Sequence, residues 1–300
     1  MRTILSVAMV LASSGLAQQP GETAIQVDVE VVNVLCTVHD SHGALVKDLG
    51  KDDFEILERG RKQDIRYFAR ETDLPLTIAL LVDVSGSVRK FIDEEKDAAG
   101  QFFDAVLRPA DHALLLGFSS TMILWQDFTT STARLRSALK ELHSVPFRGL
   151  PGVDQVMPST LLYDSVYQTA NAKLKRVPGR KTMLIISDGL DNGSQKHIED
   201  AVEAVQSTNT VVYGICYESG FSGCAFLKNL AEPTGGRMFQ AGKKQPLADI
   251  FKAIEEELRS QYALGYVPEN RQHDGLFRKL DVKVHTKGLK VRARKGYYAN

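Results

Sequence analysis

Apolar and polar positions along this chain change their period twice. Over 24–38 (AIQVDVEVVNVLCTV), Ile25, Val27, Val29 and Val31 alternate with Gln26, Asp28, Glu30 and Val32. That is the two-residue period of a half-buried strand. Short strands are predicted at 44–46, 54–57 and 63–68, with turns at Asp40-Ser41-His42-Gly43 and Glu58-Arg59-Gly60 between them. The segment 24–70 therefore reads as half of a β-sandwich.

Past Pro75 the pattern changes. Ile78 to Val82 is an unbroken apolar run, suited to a strand buried on both faces, and an amphipathic helix is predicted at 88–107. Strands at 112–118, 122–128, 181–187, 210–216 and 237–240 then alternate with helices at 132–142, 160–172, 196–207, 225–231 and 246–262. The last helix carries the stripe Leu247, Ile250, Phe251, Ile254 and Leu258. A loop rich in Pro and Gly covers 143–158. Such alternation predicts an α/β fold with a doubly wound, mostly parallel sheet, Rossmann-like in layout. The tail reverts to period two at 263–267, 277–285 (FRKLDVKVH) and 289–294. These strands have no α/β partners left and are expected to complete the sandwich. The expected organisation is a leader at 1–17, a β segment at 18–73, an inserted α/β domain at 74–262, and a closing β segment at 263–300.

Composition narrows the function classes. Of 300 residues, 43% are hydrophobic and 25% charged, and 37 Lys and Arg balance 37 Asp and Glu. No global field draws the chain to nucleic acid or an anionic membrane. Met1-Arg2, the apolar stretch 4–12, and the small residues Gly15 and Ala17 read as a secretory signal cut before Gln18. The uncharged stretch 3–17 is short for a membrane span. An exported protein is expected, periplasmic or secreted, with no stable span and no nucleic-acid partner. Cys36 reads as a core residue. Cys216 and Cys224 read either as a local disulfide formed under oxidising conditions or as two buried thiols. No His lies near that pair, which argues against zinc there.

The candidate chemistry starts where the apolar run stops, at Asp83-Val84-Ser85-Gly86-Ser87. Strand, oxygen-rich turn and helix in that order put a carboxylate and two hydroxyls at the carboxyl end of a parallel strand. Open α/β sheets bind ligands there, although Ser85 or Ser87 would also serve as a helix N-cap. Thr160 falls where a loop meets a helix, and Asp188 follows the strand 181–187 directly, with Gly189 next. Each has an ordinary role as cap or turn. Together, Asp83, Ser85, Ser87, Thr160 and Asp188 are five hard oxygen donors, with no Cys or His among them. That set suits Mg²⁺, with Mn²⁺ or Ca²⁺ as alternatives. No Gly-x-Ser-x-Gly, His-Glu-x-x-His or P-loop is present. A metal-assisted hydrolase would have to draw on Asp164 and Asp191.

With DVSGS at 83–87, PSTLLYD at 158–164 and SDGLD at 187–191, the sequence resembles the von Willebrand factor type A (VWA) domain over about 76–262. It does so through that family's metal-ion-dependent adhesion site. The resemblance implies that Ser85, Ser87 and Thr160 bind the metal directly and that Asp83 and Asp188 act partly through water. It implies that an Asp or Glu of a protein ligand completes the shell. The expected function is adhesion or protein–protein interaction without catalysis. The alternatives are a metal-assisted hydrolase, or a structural protein whose metal site is unused. By the same resemblance, the helix after Gln245 is expected to shift when ligand binds. The flanks KDLGKDDFEILERGRKQDIRYF and YALGYVPENRQHDGLFRKLDVKVHTKGLKVRARKGYYA are similar to the ends of secreted bacterial VWFA-related proteins.

Overall fold

The computed structural model describes residues 31–70, 74–144, 159–217 and 221–299. The expected leader at 1–17, the first half of the strand at 24–38, and Pro158 lie outside these residues. The chain opens with β1 (Val32–His39), β2 (Phe54–Glu58), β3 (Arg61–Gln63) and β4 (Ile65–Arg70). Next come β5 (Leu76–Asp83), α1 (Ile92–Val106), β6 (His112–Phe118), β7 (Met122–Thr129) and α2 (Thr132–Glu141). They are followed by α3 (Leu162–Gln168), β8 (Arg180–Ser187), α4 (Ile198–Ser207), β9 (Thr210–Tyr217), α5 (Phe221–Ala231), β10 (Met238–Ala241) and α6 (Leu247–Leu258). The tail supplies β11 (Tyr262–Tyr266), β12 (Phe277–Val284), β13 (Lys290–Ala293) and β14 (Gly296–Tyr298). No helix among the described residues is long and apolar enough to cross a membrane.

Six strands form a twisted sheet in the order β10-β9-β8-β5-β6-β7, parallel except for β7 at one edge. From β5 the chain first builds outward through β6 and β7, then returns to lay β8, β9 and β10 on the other side. The direction of winding reverses beside β5, so the carboxyl ends of β5 and β8 flank a crevice. All eight residues of β5 are buried, because helices cover both faces. Ile78, Leu80 and Val82 face α1, α2 and α6, meeting side chains such as Phe103, Leu135 and Ile254. Ala79 and Leu81 face α3, α4 and α5, with Val166, Val205 and Leu227. The two-residue period is still there, but apolar layers on both sides conceal it in the sequence.

The two ends of the chain build two further sheets, β13-β1-β11-β4 and β14-β12-β2-β3. Each combines N-terminal and C-terminal strands. Val34, Cys36, Ile56, Leu264 and Leu280 share the core between them. β4 and β11 are antiparallel neighbours with Arg70 opposite Tyr262. The chain therefore leaves for the six-stranded sheet and comes back on adjacent strands.

Several sequence expectations are corrected here. In β1 the inward residues are Val32, Val34, Cys36 and Val38, while Val31 is 37% exposed. The sequence pattern had set Val31 inward and Val32 outward. The adjacent valines fit either face, and a one-residue slip inverts a strand. Residues 44–46 form no strand, only a single bridge from Leu45 to His39. The last helix stops at Leu258 rather than 262. Tyr262 belongs instead to the sandwich core, with its ring against Phe54 and Phe68 and its hydroxyl donating to the Val46 carbonyl at 2.9 Å.

One ion cluster joins the two parts. Glu257, in the last turn of α6 and 1% exposed, is 2.6 Å from the Arg237 guanidinium and 3.2 Å from that of Arg292 on β13. Both guanidiniums are about one-third exposed. Deleting a buried partner leaves like charges facing each other, at about 3–5 kcal/mol when all are buried, and solvent screening lowers that here. Glu257→Ala is expected to cost about 2–4 kcal/mol in urea denaturation. A loss below about 1 kcal/mol would show that water already supports these arginines.

Candidate metal centre

In-register pairing of β5 with β8, Val82 opposite Ile186, brings their carboxyl ends level. Asp83 and Ser187 therefore lie side by side, and Ser187 Oγ donates to Asp83 Oδ2 at 2.7 Å. The other carboxylate oxygen accepts the Ser85 backbone N–H at 2.9 Å, which curls the chain back over the strand end. The Ser85 and Ser87 hydroxyls then stand 3.0 Å apart. Val84 N donates to the Phe118 carbonyl at 2.8 Å and fixes this turn to β6. On the neighbouring strand, Asp188 is buried and Gly189 has φ +76°, a left-handed turn that suits glycine. Gly189 N donates to Ser187 Oγ at 2.9 Å, so this serine links both turns.

Thr160 reaches the same rim through its backbone. Its N–H donates to Asn192 Oδ1 at 2.7 Å, and its carbonyl accepts Asn192 N–H at 3.3 Å. The next residue, Leu161, donates to the Ser119 carbonyl just past β6 at 2.9 Å. The loop after Asp188 packs tightly here. A Cβ on Gly193 would come within 2.6 Å of the Ser159 Cβ, so a larger residue would push the Thr160 loop away. Asp191 accepts the Tyr163 N–H at 2.9 Å and the Ser194 hydroxyl at 2.6 Å. Asp164 accepts the Lys196 and Gln195 N–H groups at 2.9 and 3.1 Å. The five expected donors are thus carried by three turns at one edge of one sheet. Ser85, Thr160, Asp83 and Asp188 are buried, and Ser87 is exposed.

This edge is electrostatically unfavourable on its own. Asp83 is fully buried, and no Lys, Arg or His among the described residues forms an ion pair with it. Burial pushes its carboxyl up to about 6, with the Asp188 charge adding to the rise. Deeper in the crevice, Glu95 of α1 is 1% exposed and lies beside the Tyr217 hydroxyl. Burial pushes Glu95 up to about 8, the Tyr217 hydroxyl offsetting part of the rise and Asp83 adding to it. Among the described residues no group of three or more His, Cys, Asp or Glu side chains is placed to share a metal. Any ion here would depend on hydroxyls beside two carboxylates, a donor set that fits a hard divalent cation.

The family model for the von Willebrand factor type A domain matches residues 77–253. The chain belongs to this family. No curated protein matches it. Among solved structures, proximal thread matrix protein 1 of the mussel byssus is similar in fold, with TM-score 0.53 and 14% identity over 76% of this chain and 50% of that one. The same byssus protein with a zinc-occupied MIDAS motif aligns with TM-score 0.53 and 16% identity, over 66% of this chain and 48% of that one. The vWF domain of a type V pili tip protein from Porphyromonas gingivalis aligns with TM-score 0.48 and 12% identity, over 62% and 95%. This chain spans about half the length of the byssus proteins it matches.

In this VWA domain, sequence reasoning missed the residues that set the rim in place. Ser187 bridges two turns and Asn192 holds Thr160, yet in sequence the first looks like an ordinary strand end and the second like an ordinary loop residue. Their signal is position: each lies within a few residues of Asp188. Glu95 was also missed, because a Glu in the first turn of a helix reads as solvated. Behind the rim, Cys216 and Cys224 form a disulfide with Cα atoms 5.5 Å apart, and Cys36 is free and buried. Since Glu95 stays protonated in the fold until about pH 8 but ionises near its ordinary value when unfolded, folding loses stability as pH rises between those values. Glu95→Gln removes that loss. Its advantage over the wild type is expected to grow by on the order of 2–3 kcal/mol between pH 5 and pH 8 in urea melts. A constant difference across that range would contradict the burial argument.

Proposed function

We propose that this chain is an exported protein-binding module that works through a divalent metal. Ser85, Ser87 and Thr160 would hold Mg²⁺, with Asp83 and Asp188 behind them, Mn²⁺ or Ca²⁺ being alternatives. The ion supplies an electrophilic position that an Asp or Glu of a protein partner completes. What carries this reading is the hydroxyl pair of Ser85 and Ser87, 3.0 Å apart, in front of a buried Asp83 that has no cationic partner among the described residues. The zinc-occupied MIDAS motif of the byssus relative supports it by family likeness. Binding is favoured over hydrolysis because Asp164 and Asp191, the spare carboxylates, are taken up by backbone N–H groups. The Cys216–Cys224 disulfide supports export to an oxidising compartment. We further read 74–262 as a VWA domain carried by a β domain made of 18–73 and 263–300.

Trp125, the chain's single tryptophan, packs over Gly117 beside Val84 and serves as a reporter. Adding Mg²⁺ is expected to change its fluorescence, with EDTA reversing the change. Asp83→Ala and Thr160→Ala are each expected to weaken Mg²⁺ binding at least roughly tenfold. Capture of a protein partner should need Mg²⁺ and fail with Thr160→Ala. Capture that persists unchanged in EDTA would refute the metal mechanism, and full Mg²⁺ affinity in Thr160→Ala would remove that residue from the site.

A further inference from the structure

At the opposite end of the six-stranded sheet, a cavity of about 240 Å³ lies between the strand starts and the sandwich. Its walls come from the first residues of β8, the α4–β9 junction, Asn33 and Leu35 of β1, and Arg294 after β13. No acidic side chain is among the described residues lining it, whereas Arg180, Lys181 and Arg294 all are. Lys181 is 8% exposed and Arg294 is 9% exposed. Among the described residues the Lys181 side chain makes one hydrogen bond, from Nζ to the Val177 carbonyl at 2.9 Å. Arg294 donates to Asn209 Oδ1 and, at 2.8 Å, to the Asn33 carbonyl, while its buried Nε has no partner. Neither cation forms an ion pair among the described residues.

Buried charges are ordinarily paired, because carbonyl oxygens replace only part of the lost hydration. Here two of them border the same space, with donor capacity unspent. Burial pulls Arg294 down to about 10 and lowers Lys181 as well, as expected where no negative charge offsets the lost water. Gln206 and Thr210 add polar groups to the wall. The space exceeds what one bound water needs. We infer that this cavity binds a small oxyanion, phosphate or carboxylate, held between Lys181 on the parallel sheet and Arg294 on the returning tail. The ion would be shared by both parts of the chain, so binding would fasten them together.

The test uses the full chain in EDTA, which keeps anions from reaching the rim through a metal. Inorganic phosphate and acetate are titrated separately at constant ionic strength by calorimetry and thermal unfolding. One anion per chain is expected, with a midpoint rise of roughly 5 °C at hundredfold excess over the dissociation constant. Lys181→Met should weaken binding at least tenfold, and Arg294→Lys should weaken it while keeping the charge. Should Arg294→Lys fail to fold, Lys181→Met decides alone. Binding of either anion that is lost in Lys181→Met supports the site. Absence of binding by both anions, or equal binding in wild type and Lys181→Met, overturns it.

Discussion

Register between β5 and β8 is the constraint on which the rim depends. Both strands are buried on both faces, so a slip by one residue would exchange the layers that Leu80 and Leu81 occupy. The same slip would part Asp83 from Ser187. Packing of the core therefore fixes where the carboxylate ends up, and a 2.7 Å hydrogen bond follows from it. Precision at the edge of the sheet is inherited from fit in its middle.

Two pairs of buried like charges lie at opposite ends of the sheet. At the carboxyl ends of the strands, Asp83 and Glu95 are buried acids, each pushed toward its neutral form. At the amino ends, Lys181 and Arg294 are buried cations without acidic partners among the described residues. Each pair lies in a place that water reaches poorly, where Coulomb energies are large. Each is thereby suited to a ligand of the opposite sign. Between them runs the apolar centre of the sheet, which keeps the two sets from neutralising each other.

Much of this was legible in the sequence, for physical reasons. Unbroken apolar runs such as 78–82 signal a strand covered on both sides, and the alternation with amphipathic helices signals parallel winding. The turns bearing Asp83 and Asp188 could be placed because each abuts such a run. The face of β1 was not legible, since Val31 and Val32 are equally apolar and only the partner sheet decides between them. The end of α6 was also hidden: Tyr262 continues the amphipathic pattern, but Phe54 and Phe68, far away in sequence, claim its ring. Glu95 and Arg294 were illegible for a related cause. Charged side chains are ordinarily solvated, and only tertiary packing shows that these two are enclosed.

The adjacency of β4 and β11 has a consequence for how such a chain arises. Arg70 and Tyr262 already face each other across an antiparallel ladder. A short turn between them would close an ordinary β-hairpin, and the two small sheets would keep their strand order. Their framework needs no strand from the intervening stretch, although its loss would leave Arg292 without Glu257 and Arg294 without Asn209. A gene could then gain or shed that stretch in one recombination event without reordering the strands of either small sheet.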